Sequence, residues 1–193
     1  MDGMREEIQR KSFHLLALGY VAALYVLPRP LYLFLLAGMF GIVGGVEWLR
    51  LHRPAVNDWF FAHFGGLFRA HERTRLTGLF WMLAGVMVCV LVSRTKAAAA
   101  TAILYTVLGD GIASLVGKRV QGPRWPNSPK SFSGSTACFL VCAGIGWSLL
   151  RPDMSWAAVL GAALLATVVE VGPIPLDDNF SVPVLTGLFL RFF

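Results

Sequence analysis

The sequence has 193 residues, of which 56% are hydrophobic and only 15% are charged, and its mean hydropathy is +0.63. This composition excludes an ordinary soluble domain, which carries more charged and fewer apolar residues. The formal net charge of +6 does not predict nucleic-acid binding, because the basic residues lie between apolar runs and not on one soluble face. We therefore expect an integral membrane protein, embedded in the lipid bilayer and without a nucleic-acid partner.

The apolar runs predict an all-α, polytopic membrane bundle of about seven transmembrane segments, which form one domain over residues 1–193. In chain order, the predicted segments cover about 12–27, 31–49, 76–92, 97–116, 133–150, 154–171 and 180–193. Between the second and third segments, "DWFFAHFGGLF" (58–68) mixes aromatic and polar residues, as a helix in the membrane interface does. The last segment is short for a crossing, so it tilts, is partly re-entrant, or packs against another subunit in a homodimer.

The distribution of lysine and arginine predicts that the N-terminus lies in the cytoplasm. With this orientation, twelve basic residues lie on the cytoplasmic side of the membrane and five on the other. The five are Arg29, Arg94, Lys96, Arg151 and Arg191. The polar residues that need an explanation then collect at the cytoplasmic face of the membrane, where we expect the functional site.

Acidic residues stand at or near the cytoplasmic ends of several predicted spans. They are Glu47, Asp110, Glu170, Asp177 and Asp178, and Asn179 follows directly. A carboxylate at membrane depth costs several kcal/mol unless it is paired or neutralised, and Asp110 lies deepest. In a structural interpretation, Glu47 pairs with Arg50. Asp110 then pairs with Lys118, and Glu170 is protonated.

A cation site is the simpler common explanation for the whole acidic set. Carboxylate and amide oxygens are the ligands that Mg²⁺ prefers, usually alongside substrate phosphates. The sequence therefore predicts Mg²⁺ ligands, which are Asp110, Asp177, Asp178 and Asn179.

The segment "SPKSFSGS" (128–135) leads into the fifth span and predicts an anion site. Free backbone N–H groups and the positive end of the helix dipole favour a phosphate there. Lys130 supplies a point charge, Ser131 and Ser133 supply hydroxyls, and Gly134 allows close backbone approach. The alternative is that one of the serines is only an N-cap.

Two further segments begin predicted spans at the cytoplasmic side. In "RLTGLFW" (75–81), Thr77 is either a second phosphate or headgroup contact, or a cap beside a packing glycine. In "RKSFH" (10–14), Arg10, Lys11 and His14 share one helical face, either for a lipid headgroup or for membrane anchoring. The chain contains neither a GxxxxGK[ST] phosphate loop nor the HRD and DFG motifs of protein kinases.

Together, these segments resemble the CTP-dependent polyprenol kinases, a family that includes dolichol kinase, phytol kinase and CTP-dependent diacylglycerol kinase. The similar elements are "EIQRKSFHLL", "VEWLR", "LTG", "LGDGIASLVGKR", "PKSFSGS", a glutamate that ends a later span, and "DDNFSVP". They extend from about Glu7 to Pro183. Each element is short, but their order and spacing are fairly specific.

The resemblance implies that the γ-phosphoryl group of CTP is transferred to a lipid alcohol with Mg²⁺, which gives CDP and a lipid phosphate. It assigns nucleotide binding to Gly109, Gly111, Lys118, Lys130, Ser131, Ser133 and Gly134, around Asp110. It places Glu47, Glu170, Asp177, Asp178 and Asn179 in the active region. Asp110 and Glu47 are then the leading candidates for the general base that accepts the alcohol proton.

Two other functions are consistent with parts of the sequence. Phosphatidate cytidylyltransferases use CTP and carry a segment similar to "SPKSFSGS", but their C-terminal Pro-Gly-His-Gly-Gly signature is absent here. An ion-coupled transporter also places acids in the membrane, but such acids are expected near the midplane and accessible from both sides.

Overall fold

A computed structural model describes residues 15–120, 122–126, 128–151 and 153–193. The predicted headgroup contacts Arg10, Lys11 and His14 lie outside these described residues. Within the described residues, every named element is a helix or a helical turn, and the single β-type contact is an isolated bridge between Arg124 and Ser131. The prediction of an all-α fold is therefore confirmed.

In the N-terminal half, the described residues form four α-helices. They are α1 (Leu18–Val26), which follows a 3₁₀ turn over Leu15–Ala17, α2 (Arg29–His52), α3 (Pro54–Phe64) and α4 (Gly78–Val92). Two further 3₁₀ turns, Gly65–Leu67 and Ala70–Arg73, lie in the connection between α3 and α4. We call this connection, residues 65–77, the α3–α4 segment.

In the C-terminal half, one long interrupted helix and three other α-helices are formed by residues that the structure describes. The long helix consists of α5 (Lys96–Leu104), a π-helical turn (Tyr105–Gly109) and α6 (Asp110–Arg119), and the remaining helices are α7 (Phe132–Leu150), α8 (Trp156–Val171) and α9 (Asp178–Leu190). Polar caps define several starts: Thr95 and Ser155 accept backbone N–H bonds from Ala98 and Ala158 at 3.1 and 3.3 Å. Such caps satisfy orphan N–H groups where a helix leaves a polar loop.

Three of these helices are long and apolar enough to cross a membrane: α2, the continuous helix Lys96–Arg119, and α7. Leu15–Val26, α4 and α8 are shorter apolar helices. Large apolar side chains also face outward, and Phe34 and Ile42 are 75% and 70% exposed. An apolar outer surface of this kind is unfavourable in water and suits contact with lipid. The number of spans and their orientation stay predictions.

Two close helix contacts bring the polar ends of the helices together. A Cβ at Gly85 of α4 would lie 2.9 Å from Phe180 Cα, so the start of α9 touches the backbone of α4. A Cβ at Gly134 of α7 would lie 2.6 Å from the carbonyl oxygen of Ala113 in α6. Only glycine allows backbones to approach so closely.

The buried apolar residues form two clusters. The first includes Leu36, Leu83 and Val107 and joins α1, α2, α4 and α5. The second includes Ala113 and Cys142 and joins α6 to α9 with part of α5. Val107 and Ala113 lie on the same continuous helix, so Asp110 lies at the boundary between the two clusters.

Candidate active site between two cavities

The first cavity, which we call the apolar cavity, has a volume of about 520 Å³ and lies mainly between α1, α2 and α4. Most of its wall is hydrocarbon or aromatic, with Tyr20, Leu36 and Met82 as examples. Polar residues are few in this wall, and they include Arg69, Glu72, Asp110 and Asn179. A cavity with apolar walls and a few polar groups suits a long apolar ligand that carries one polar group.

The second cavity, which we call the polar cavity, has a volume of about 630 Å³ and lies between α6, the loop before α7, and the facing ends of α8 and α9. Its charged residues are Arg69, Asp110, Lys118, Arg124, Lys130, Glu170 and Asp178. Four basic groups beside three carboxylates can neutralise a polyphosphate and also hold a divalent cation.

Asp110 and Arg69 line both cavities, so the two cavities meet at these residues. Asp110 begins α6 directly after the π-helical turn Tyr105–Gly109. Such turns widen the helix locally and are frequent at functional sites. The arrangement places one carboxylate within reach of ligands in either cavity.

Lys130 joins the ends of three helices inside the polar cavity. Its Nζ lies 2.6 Å from Asp178 Oδ2 and 2.9 Å from Glu170 Oε1, and it also donates to the Glu170 carbonyl. Burial lowers the pKa of Lys130, but the Asp178 and Glu170 carboxylates raise this pKa by more, so the ammonium group stays charged. Burial also raises the pKa of the Asp178 carboxyl, against the opposing effect of Lys130.

The donor set of the polar cavity fits a Mg²⁺ ion. Glu170 is buried, and its Oε2 has no hydrogen-bond partner among the described residues. Asp178 and Asp110 line the same cavity, so hard oxygen donors converge there. Within the described ranges no group of three or more His, Cys, Asp or Glu side chains forms a complete metal site by itself. An ion held here would therefore need additional oxygens from a ligand.

The loop before α7, which contains Ser131, is held in place beside the polar cavity. Ser131 Oγ accepts the Gly134 N–H at 3.1 Å, so Ser131 is the N-cap of α7, whereas its predicted role in anion binding stays a prediction. Ser131 and Gly134 line the polar cavity, whereas Ser133 does not, and Ser133 Oγ donates to the Val120 carbonyl at 3.4 Å. The Trp125 ring stacks on Phe132 with 3.9 Å between ring centroids, which fixes the loop further.

Glu47 and Thr77 lie in a buried network that lines neither cavity. Glu47 Oε2 is 2.5 Å from Arg50 Nη2, so the predicted structural partner Arg50 is confirmed. The same carboxylate accepts the Thr77 N–H at 3.1 Å and the Thr77 hydroxyl at 2.9 Å. Because these bonds occupy both oxygens, the geometry gives Glu47 and Thr77 a structural role, and we leave both out of the candidate site.

The other predicted residues are distributed around the site. Gly109 is buried against Cys142, and Gly111 lines neither cavity. Asp177 is the N-cap of α9 and accepts the Asn179 N–H at 3.0 Å, and it also lies outside both cavities. Asn179 lines the apolar cavity and donates to the Gly78 carbonyl at 3.4 Å. The predicted residues that share the polar cavity are Asp110, Lys118, Lys130, Ser131, Gly134, Glu170 and Asp178.

Three residues that line the cavities, Arg69, Glu72 and Arg124, were not predicted as site residues. Arg69 and Arg124 belong to the twelve basic residues that the lysine and arginine distribution assigns to the cytoplasmic side, and Glu72 had no predicted role. For Arg69 and Glu72, the sequence signal is their separation: they are three residues apart in a short polar segment before a predicted span. That spacing allows a side chain to bond to a backbone group three residues away, and Glu72 Oε2 accepts the Arg69 N–H at 2.7 Å.

No family model and no solved structure matches the chain significantly. Curated proteins do match it. The chain is 37% identical over 123 residues to a probable chloroplastic phytol kinase 3 of Glycine max, an alignment that covers 57% of this chain and 39% of the relative. It is 28% identical over 215 residues to CTP-dependent diacylglycerol kinase 1 of Eremothecium gossypii, which covers 97% of this chain and 67% of the relative.

A third relative is matched along nearly all of its length. This is CTP-dependent diacylglycerol kinase 1 of Schizosaccharomyces pombe, which is 24% identical over 207 residues, with 96% of this chain and 93% of the relative covered. The chain spans about two fifths of the phytol kinase and about two thirds of the Eremothecium enzyme. The chain is thus similar to phytol kinases and CTP-dependent diacylglycerol kinases, and the resemblance found in its motifs is confirmed.

Proposed function

We propose that this protein is a CTP-dependent lipid kinase. It transfers the γ-phosphoryl group of CTP to the hydroxyl of a membrane lipid alcohol, a polyprenol, a prenol or a diacylglycerol, and releases CDP and a lipid phosphate. The observation that carries the proposal is the position of Asp110, the only carboxylate of the described residues that lines both cavities. The names of the relatives support CTP as donor and a lipid alcohol as acceptor.

The apolar cavity is the proposed acceptor site. Its walls from α1, α2 and α4 can cover the hydrocarbon part of a lipid, and burial of that surface supplies binding energy of about 25 cal/mol per Å². The alcohol group then lies at the polar part of the cavity, near Asp110 and Asn179. A lipid can thereby reach a reaction centre without leaving the membrane.

The polar cavity is the proposed CTP site. Lys118, Arg124 and Lys130 supply positive charge, and the N-terminus of α7 with Ser131 and Gly134 adds the positive end of a helix dipole. Mg²⁺, held by Asp178 and Glu170 together with phosphate oxygens, would neutralise part of the charge on the triphosphate. The basic residues share this task, because phosphoryl transfer depends mainly on positioning and charge neutralisation.

In the reaction, Asp110 accepts the proton of the lipid hydroxyl. The alcohol oxygen forms a bond to the γ-phosphorus, and the bond from that phosphorus to the β,γ-bridging oxygen breaks. The electron pair of the broken bond stays on CDP, which leaves through the polar cavity. The proton on Asp110 passes to solvent before the next turnover.

We further propose that the enzyme works in a cytoplasmic (inner) membrane with its CTP site open to the cytoplasm. This location follows from the lysine and arginine distribution, and CTP is a cytoplasmic metabolite that does not cross a bilayer unaided. A homodimer that covers the short last segment stays a prediction of the sequence.

The test is an assay of purified full-length protein with Mg²⁺, labelled CTP or ATP, and a panel of phytol, longer polyprenols and diacylglycerol. We expect CTP-dependent formation of a lipid phosphate with release of CDP in equal amount. Release of pyrophosphate with a CDP-lipid product would instead identify a cytidylyltransferase. Ion flux in proteoliposomes without nucleotide would support a transporter.

A further inference from the structure

Arg69 is the second residue, beside Asp110, that lines both the apolar and the polar cavity. We propose that the Arg69 guanidinium is a catalytic group that contacts the γ-phosphoryl group during its transfer. The proposal rests on the proposed kinase function and assigns to that reaction a residue from the α3–α4 segment.

The backbone around Arg69 is held by a buried network. The Arg69 N–H donates to Glu72 Oε2 at 2.7 Å, and the Gly78 N–H donates to Glu72 Oε1 at 2.9 Å. Both oxygens of this buried carboxylate therefore bind backbone groups, one within the α3–α4 segment and one at the start of α4. The network therefore fixes the backbone position from which the Arg69 side chain extends.

A second buried charge, that of Arg50, also holds this segment. Arg50 is fully buried and donates to the carbonyl oxygens of Glu72 and Arg75 at 3.0 and 2.5 Å, while its own charge is paired with Glu47. Such a network keeps a loop in one position and reduces the reorganisation needed during a reaction. The buried Glu47–Arg50 pair thus supports the catalytic geometry without entering the site.

The chemistry of phosphoryl transfer requires a cation where the two cavities meet. The transferring group carries negative charge on three equatorial oxygens, and the proposed base Asp110 must be a carboxylate to accept the alcohol proton. Lys130 is already paired with Asp178 and Glu170, so these two carboxylates offset part of its charge. A planar guanidinium can donate two parallel bonds to phosphoryl oxygens, which an ammonium group cannot do.

Arg69 is neither consumed nor deprotonated in this step. The alcohol oxygen bonds to the γ-phosphorus, the alcohol proton goes to Asp110, and CDP leaves with the bridging oxygen. Arg69 donates hydrogen bonds to the equatorial oxygens as their charge redistributes. Its effect should therefore appear in kcat more than in the KM for CTP.

The test compares Arg69→Ala and Arg69→Lys with the control Arg73→Ala in the full-length enzyme, using an alcohol that the wild type phosphorylates. Arg73 lies on the same segment, pairs with exposed Asp58 at 2.5 Å, and lines neither cavity. Arg69→Ala should lower kcat by ~100-fold or more and change the KM for CTP by less than about threefold. Arg73→Ala should stay within about twofold of wild type, because exposed ion pairs contribute little.

Arg69→Lys keeps the charge but loses the planar fork, and we expect a kcat loss of about tenfold or more with unchanged thermal stability. This variant decides the question if Arg69→Ala fails to fold. A kcat within about threefold of wild type for folded Arg69→Lys, or within about tenfold for folded Arg69→Ala, overturns the proposal. A rise confined to the KM for CTP overturns it as well.

The wild-type enzyme tests the underlying function separately. If it makes no lipid phosphate from any alcohol in the panel, the kinase function fails and the role of Arg69 fails with it. If the wild type is active and the Arg69 variants are equally active, only the role of Arg69 is overturned.

Discussion

Individual residues at the site combine binding and structural tasks. Lys130 holds Asp178 and Glu170 together, yet it also lines the cavity in which we place the triphosphate. Glu170 uses one oxygen for this ion pair and keeps the other buried without a partner among the described residues. A buried carboxylate oxygen without a partner is costly, and a bound cation would remove that cost.

Asp110→Asn tests the proposed general base at the residue scale. The amide cannot accept the alcohol proton, so we expect kcat to fall by about 10²-fold or more while the protein keeps its thermal stability. The matched control is Asp153→Asn, since Asp153 is exposed and lines neither cavity. Steady-state kinetics on both variants provide the measurement, and normal turnover of Asp110→Asn would refute the role of Asp110.

Lys130→Ala tests the nucleotide site. Because the Asp178 and Glu170 carboxylates keep the pKa of Lys130 raised, its ammonium is charged, and Lys130 lines the cavity proposed for CTP. Its removal should raise the KM for CTP by about tenfold or more and raise the KM for the alcohol much less. Lys96→Ala is the control, because Lys96 is exposed and lies at the start of α5. The reverse order of the two KM effects would exclude Lys130 from the nucleotide site.

At the scale of elements, the site depends on how closely the helix ends approach each other. The start of α7 lies against α6 at Gly134, and the start of α9 lies against α4 at Gly85. These contacts place Ser131 and Asp178 around the polar cavity and Asn179 beside the apolar one. Larger side chains at the two glycines would separate the helices and open the site.

Gly134→Ala tests this contact. The added methyl would lie 2.6 Å from the Ala113 carbonyl, so we expect a loss of about 1–3 kcal/mol in stability and a lower Tm. Gly144→Ala on the same helix is the control, since no atom lies within 4 Å of its added methyl. Alanine is also the better helix former, so this variant should be neutral or slightly stabilised. Equal Tm values for the two variants would show that the α6–α7 contact is not tight.

At the scale of the whole molecule, the two cavities link a membrane-facing region to a polar one. The apolar cavity is formed by helices of the first cluster, and the polar cavity by the ends of helices in the second. Under the proposed function, this division lets one small chain bind a lipid in one cavity and a charged nucleotide in the other. It also requires that the polar cavity open to the compartment that contains CTP.

The predicted orientation can be tested with single cysteines at Arg119 and Asp153, both exposed and both outside the cavities. The two positions lie beyond opposite ends of α7, whose 19 residues span about 28 Å. A membrane-impermeant maleimide should label Arg119→Cys only from the cytoplasmic side and Asp153→Cys only from the other. If each cysteine is instead labelled from the other side, the predicted orientation is wrong and the polar cavity does not face the cytoplasm.

Much of the fold could be predicted from local sequence. Apolar runs determine the helices, and the predicted bounds 31–49 and 133–150 correspond to α2 (Arg29–His52) and α7 (Phe132–Leu150). The Ser131 cap and the Glu47–Arg50 pair are also local, because three residues separate their partners. Interactions over such short separations follow from helix geometry alone.

The composition of the site was decided by tertiary packing. Lys130 and Asp178 are 48 residues apart, and Glu47 meets Thr77 across 30 residues, so no local pattern shows that one pair forms the cavity and the other a buried support. Arg69 and Asp110 are 41 positions apart in the chain and line the same two cavities, and hydrogen bonds from Arg50 and to Glu72 hold the α3–α4 segment that carries Arg69. The sequence by itself was sufficient to predict a helical membrane protein with kinase-like motifs. Which of its charges face a common cavity depended on contacts between distant helices, and helical periodicity does not encode those contacts.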